Sequence, residues 1–212
     1  MEITSEKIRT IYKSRGIILK LLELNGYDIA DYDNFSVNDV DAMTRNEQLD
    51  MLLTHENGKK TFIKYVVKTK KTKTQMKSQF VNELIEQLMS VENILTKKDD
   101  IIIIVEDEPN ENLINTMKYL YDNSGVFIVI HNIKRLQFNI LEHNLVPKSR
   151  VLNDEETELI KKKYNIHSLK QLPEVSRFDP QSLAMCMRPG QVCEYTRKSP
   201  TTIETKYYRV CV

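Results

Sequence analysis

The sequence predicts an α+β protein in two parts, an α/β-like domain over residues 1–138 and a small α+β module over residues 139–212. Three observations predict it. A β-branched run at 101–105, a helical pattern after it and a second apolar run at 126–130 read as strand, helix, strand, the repeating unit of a parallel sheet. Asn57-Gly58 between two apolar runs reads as a β-hairpin. After Ile130 this alternation stops, and a stretch with prolines at 147, 173, 180, 189 and 200 begins.

In chain order, Ile8, Ile11, Tyr12, Ile18, Leu19 and Leu22 recur at helical spacing, and Asn25-Gly26 supplies a left-handed stop, so a helix is expected over 5–24. Ser36 with Asp39 three residues on is an N-terminal capping signal for a shorter helix over 37–45. The runs 49–53 and 61–67 flank Glu56-Asn57-Gly58-Lys59 and form the hairpin. Met76, Phe80, Val81, Leu84, Ile85, Leu88 and Met89 trace one face of a long helix reaching about Leu95. The strand at 101–105 follows, Pro109 opens the next helix, Gly125 ends it, and 126–130 is the second buried strand. Beyond the boundary a short helix is expected over 154–164, then a proline-rich loop region and two strands over 191–197 and 203–210.

Composition narrows the function. With 41% apolar and 29% charged residues among 212, the chain can build a core under a solvated surface. A net charge of +1 excludes coating nucleic acid by bulk electrostatics, so any DNA contact is local. Cys186, Cys193 and Cys211 have no CxxC spacing and fit a reducing compartment better than a zinc site or a disulfide framework. The N-terminal residues lack the apolar core of a signal peptide, and no later stretch approaches a membrane span. Histidines 55, 131, 143 and 167 form no metal motif, no serine or cysteine nucleophile signature occurs, and no metal or cofactor is expected.

Two charge runs stand out. Lysines 59, 60, 64, 68, 70, 71, 73 and 77 occur with no carboxylate among them and suit a phosphate backbone, although lysines also blunt sheet edges. Asp99-Asp100, Glu106-Asp107-Glu108 and Glu111 surround the strand at 101–105, where capping and solubility explain them as well as Mg²⁺ binding does. A restriction-type nuclease needs an acid and then acid-x-lysine on the next strand. Asp50 supplies the first, but Phe62 and Val66 stand two residues before Lys64 and Lys68, so the second metal ligand is missing. A nuclease-like strand-helix-strand scaffold without the chemistry is the expectation.

The module at 139–212 contains His143-Asn144-Leu145-Val146-Pro147-Lys148, Leu172-Pro173-Glu174-Val175, Asp179-Pro180, Arg188-Pro189-Gly190-Gln191-Val192, Arg197-Lys198-Ser199 and Tyr207-Tyr208-Arg209-Val210. In order and spacing these closely resemble the assembly module of the Rpb5 family of RNA polymerase subunits, which includes its shorter archaeal counterparts. The first 138 residues are consistent in topology with the jaw domain of the eukaryotic-type, two-domain form. The resemblance implies a component without catalysis of its own, docked on the largest polymerase subunit through 139–212, with 1–138 as the lower jaw beside downstream duplex DNA.

Lys148, Arg188, Arg197 and Arg209 are the expected partner contacts, their charged heads having no need of burial in so small a module. Glu106, Asp107 and Glu108 would repel phosphate beside Pro109, which moves the expected DNA proximity to Lys68, Lys70, Lys71 and Lys73. The chain departs from the family pattern in Met185-Cys186-Met187, where apolar-Gly-apolar is usual, and in a final hairpin over 199–205 without glycine. The alternative reading is a stand-alone DNA-binding module with an inactive nuclease-derived fold. The Lys, Ile and Asn-rich style suits a large DNA virus or an AT-rich protist, which implies the nucleus for a cellular protein and a cytoplasmic factory or virion for a viral one.

Overall fold

The computed structural model describes residues 4–67 and 76–212, and the chain divides into two compact units, Met1–Phe138 and Asn139–Val212. Each unit holds one four-stranded sheet with helices, an α+β arrangement.

In the first unit β1 (Met51–Thr54), β2 (Lys60–Val66), β3 (Asp100–Val105) and β4 (Phe127–Asn132) lie side by side in that order. β1 and β2 are antiparallel with Met51 opposite Ile63. Ile63 then faces Ile102, and Ile102 faces Val129, in parallel register. Every residue of β3 and β4 is buried, so both faces of the central sheet are covered, and each fully buried isoleucine at 101–104 contributes roughly 2 kcal/mol of transfer free energy. α1 (Ser5–Leu24) packs against α2 (Val37–Arg45) and against a 3₁₀ turn, Ile133–Gln137. Gly26 has φ +85 just past α1, and Ser36 and Asp39 cap α2 reciprocally, as the residue pattern expects.

The structure corrects three local expectations. The long helix does not reach Leu95: α3 (Ser78–Glu86) gives way to a π-helical turn, Gln87–Val91, and Asn93 takes φ +51. Asparagine tolerates that left-handed conformation, and the wide turn still buries Leu88 and Leu95. α4 (Glu111–Ser124) is opened by Asn110, whose side chain accepts from the Leu113 N–H at 2.9 Å, with Pro109 one residue outside. In the hairpin Gly58 alone has positive φ. The Gly58 N–H donates to the His55 carbonyl, and His55 closes on Lys59 around three residues rather than two.

In the second unit the sheet order is β5 (Lys148–Val151), β7 (Val192–Ser199), β8 (Ile203–Cys211) and β6 (Glu174–Val175). α5 (Asp154–Lys163) has an Asn153–Glu156 capping box, acids in its first turn and lysines in its last, all favoured by the helix dipole. The stretch expected as proline-rich loop also contains β6 and α6 (Pro180–Ala184), and β5 lies ahead of the expected helix at 154–164. These are too short to show periodicity, and each is held by distant partners: β5 by β7, β6 by β8, and Gln181 of α6 by the Pro147 carbonyl at 2.9 Å.

Both stretches that depart from the family's glycine pattern contain a residue with left-handed backbone, Cys186 at φ +50 and Ile203 at φ +62. A β-branched side chain is strained there, and Ile203, 84% exposed, gains little packing in return. Cys186→Gly and Ile203→Gly are each expected to stabilise the chain by about 1 kcal/mol in urea unfolding, because relief of left-handed strain exceeds the entropy cost of glycine.

His131 on β4 is 4% exposed, its Nε2 has no hydrogen-bond partner, and burial, with a smaller effect of Arg135, pushes its pKa down to about 4. The unfolded chain takes up this proton near pH 6.5 and the folded chain refuses it. Stability is therefore full above pH 6.5 and falls as pH drops toward 4, by up to about 3 kcal/mol. Melting curves between pH 7 and 4.5 should show this loss, and His131→Leu should flatten it.

Candidate docking surface

The β7–β8 ladder builds the second unit's surface. Tyr195 pairs with Tyr207, Arg197 with Thr205 and Cys193 with Arg209, so Cys193, Tyr195, Arg197, Thr205, Tyr207 and Arg209 share one face. At its base Cys193, Tyr195 and Cys211 join Val175, Met185 and Met187 in a small core. Burial pushes the Cys193 and Cys211 thiols up to about 11, so both stay protonated near neutrality. The Tyr195 and Tyr207 rings stack at 5.1 Å, and the guanidinium carbons of Arg197 and Arg209 lie 4.6 and 5.9 Å from the Tyr207 centroid. An aromatic ring that holds two guanidinium groups in place reduces their freedom before a partner arrives, which favours paired recognition of carboxylates.

The opposite face is organised by Glu194, whose side chain is 9% exposed. It accepts from Arg150 Nε at 3.3 Å, Lys206 Nζ at 3.1 Å and Tyr208 Oη at 3.2 Å, and Arg150 also reaches Glu156 at 2.7 Å. Burial alone would raise the Glu194 pKa, but Lys206 and Arg150 outweigh it and hold the carboxyl below its usual range. Burial and the neighbouring Glu194 push the Tyr208 hydroxyl up to about 12, which keeps it a donor.

Of the expected partner contacts, the structure brings Arg197 and Arg209 together on one ring. Lys148 is exposed on β5 opposite Thr196, and so belongs to the Glu194 face. Arg188 is half-buried in the turn before β7, where its backbone N–H donates to Gln191 Oε1 at 2.7 Å and Gly190 takes φ +89. Tyr207 stands in the family-like motif Tyr207-Tyr208-Arg209-Val210 but is not among the expected partner contacts. Its signal is a repeated Tyr-x-Arg, Tyr195-Thr196-Arg197 and Tyr207-Tyr208-Arg209, which places ring and cation on one face of each strand.

In the first unit Lys68, Lys70, Lys71 and Lys73 lie outside the described residues. Among their neighbours Lys59 pairs with the buried Asp100, and Lys64 Nζ lies 2.5 Å from Asp50 Oδ2. The lysine run therefore loses part of its charge to carboxylates elsewhere in the unit. The acidic turn is balanced in the same way, by Lys7 on Glu106 at 2.5 Å and Arg135 on Glu108 at 3.1 Å.

Asp50 gives one oxygen to Lys64 and the other to the Tyr65 N–H at 3.3 Å, while Phe62 occupies the position where a nuclease places its second acid. Burial would raise the Asp99 pKa, but donors from Lys60 and Thr96 hold it below the usual range. Among the described residues no three His, Cys, Asp or Glu side chains converge as a metal site.

The second unit is a small sheet module with a basic-aromatic cluster on one face. The family model for RNA polymerase Rpb5, C-terminal domain, matches residues 138–211. The chain is 46% identical over 76 residues to DNA-directed RNA polymerase subunit Rpo5 of Thermococcus kodakarensis, covering 36% of this chain and 92% of that protein. It is 43% identical to the Rpo5 of Pyrococcus abyssi with the same coverage, and 38% identical over 79 residues to that of Nitrosopumilus maritimus, covering 37% and 94%. The chain belongs to the Rpb5/Rpo5 family of DNA-directed RNA polymerase subunits.

Glu194→Gln keeps the shape but removes the charge that Arg150 and Lys206 share. It should cost about 1–2 kcal/mol in the second unit's unfolding, read by calorimetry of the full chain.

Proposed function

We infer that the chain is a non-catalytic assembly subunit of a multisubunit DNA-directed RNA polymerase, with residues 139–212 docking on the largest subunit and residues 1–138 forming the lower jaw beside downstream duplex DNA. The observation that carries this reading is the Arg197–Tyr207–Arg209 cluster, exposed at Arg197 and half-buried at Tyr207 and Arg209, within the stretch that matches the polymerase family. Two guanidinium groups on one ring fit an acidic strip on a partner, and arginine and tyrosine are among the residues enriched where protein interfaces concentrate their binding energy. Arg188 and Lys148 extend the contact on the turn before β7 and on β5. DNA proximity falls to Lys68, Lys70, Lys71 and Lys73. Contact there is weak and salt-sensitive, because Lys59 and Lys64 are committed to Asp100 and Asp50.

The stand-alone DNA-binding alternative gains nothing from these ion pairs, which remove cations it would need. Docking is tested by titrating the full chain against the purified largest subunit. Arg197→Ala with Arg209→Ala should weaken binding about 10–100-fold, and Lys148→Ala by less than about threefold, in keeping with the concentration of interface energy in a few arginine and aromatic anchors. Unchanged affinity in the double variant, with the fold intact by circular dichroism, would remove this face from the interface.

A further inference from the structure

A second charged feature lies in the first unit, remote in sequence from the docking face. Arg15 on α1 is 4% exposed, and no carboxylate among the described residues pairs with it. Its Nη1 donates to the Leu49 carbonyl at 3.3 Å, its Nε has no partner, and its guanidinium carbon lies 5.7 and 5.1 Å from the Tyr32 and Phe35 ring centroids. A buried charge without a counter-charge is costly, and the cost falls when an anion arrives. Arg15 lines a cleft of about 400 Å³ between α1 and the segment 32–35, whose walls carry Lys13 and Lys20 against a single carboxylate, Asp33.

The next residue on the same helix is Gly16, also in the cleft wall. Glycine in the interior of a 20-residue helix is unfavourable relative to alanine, and here no packing requires it, since a Cβ at Gly16 would meet nothing within 4 Å. The missing side chain leaves its part of the cleft wall open.

We propose that this cleft is a docking site for an acidic peptide segment of a partner protein, one side-chain carboxylate pairing with Arg15 while the peptide backbone crosses Gly16. A recessed guanidinium capped by two rings suits a slender carboxylate on a flexible side chain. A duplex phosphate backbone, stiff and convex, meets exposed cations instead. The site is independent of the polymerase-docking face and stands or falls separately from it.

The test is fluorescence anisotropy of the full chain with a labelled peptide in which glutamates alternate with glycine and phenylalanine, compared with the same peptide carrying glutamine. Wild type is expected to prefer the glutamate peptide about tenfold, the order of one charge-assisted hydrogen-bonded pair, and Arg15→Met and Gly16→Leu each to abolish the preference. Gly16→Leu fills the cleft with a better helix former, so its melting temperature should stay level or rise and its loss of binding cannot be a folding defect. If Arg15→Met unfolds the chain, Gly16→Leu alone decides. The proposal is overturned if wild type shows no preference, if Gly16→Leu binds as wild type does, or if duplex DNA or inorganic phosphate displaces the peptide at equal charge concentration.

Discussion

The C-terminal unit depends on one register, the antiparallel pairing of β7 and β8 that sets Tyr195 opposite Tyr207. Side chains alternate across a strand, so a slip by one residue would exchange the two faces. Cys193 and Tyr195 would leave the small core, Glu194 would enter it with its charge, and Arg197 would leave the ring that holds it. Short elements with little stability of their own are then recruited to the ladder: β5 against Cys193 to Thr196, and β6 against Val210 and Cys211. The network around Glu194 locks one face as the Tyr195–Tyr207 stack locks the other.

The first unit shows how a fold neutralises charge runs that look unopposed in the sequence. Lys59 and Lys64 meet Asp100 and Asp50, while Glu106 and Glu108 meet Lys7 and Arg135. A run of like charge along the chain is therefore a poor guide to surface potential wherever segments of opposite charge lie side by side. The same kind of pairing occupies Asp50. Its two oxygens serve a lysine and a backbone amide, and the neighbouring strand offers Phe62 where a nuclease needs a second carboxylate.

Local signals were the legible ones. The helix at 5–24 shows its apolar spacing and its Asn25-Gly26 stop, Ser36 and Asp39 announce a capping box, and the isoleucine run at 101–104 is wholly buried as its composition implies. What escaped the sequence depends on distant partners or on subtle backbone geometry. β6 is two residues long and exists because β8 lies beside it, and the π turn after Glu86 looks like plain helix in a periodicity count. In the candidate site, Arg197 and Arg209 were readable as surface cations, but their common ring was not, since that follows from strand register. Arg15 resembles any helical surface arginine until Tyr32 and Phe35 close over it.

The central claim is that this chain works as a stoichiometric part of a polymerase and not alone. The most direct measurement is affinity purification of the tagged chain from its native source, with mass spectrometry of what stays bound through a high-salt wash. The account predicts the large catalytic polymerase subunits in near-equal amounts to the chain, because the proposed docking face combines stacked rings and held guanidinium groups that salt only partly screens. Recovery of the chain alone, or with nucleic acid alone, would contradict it.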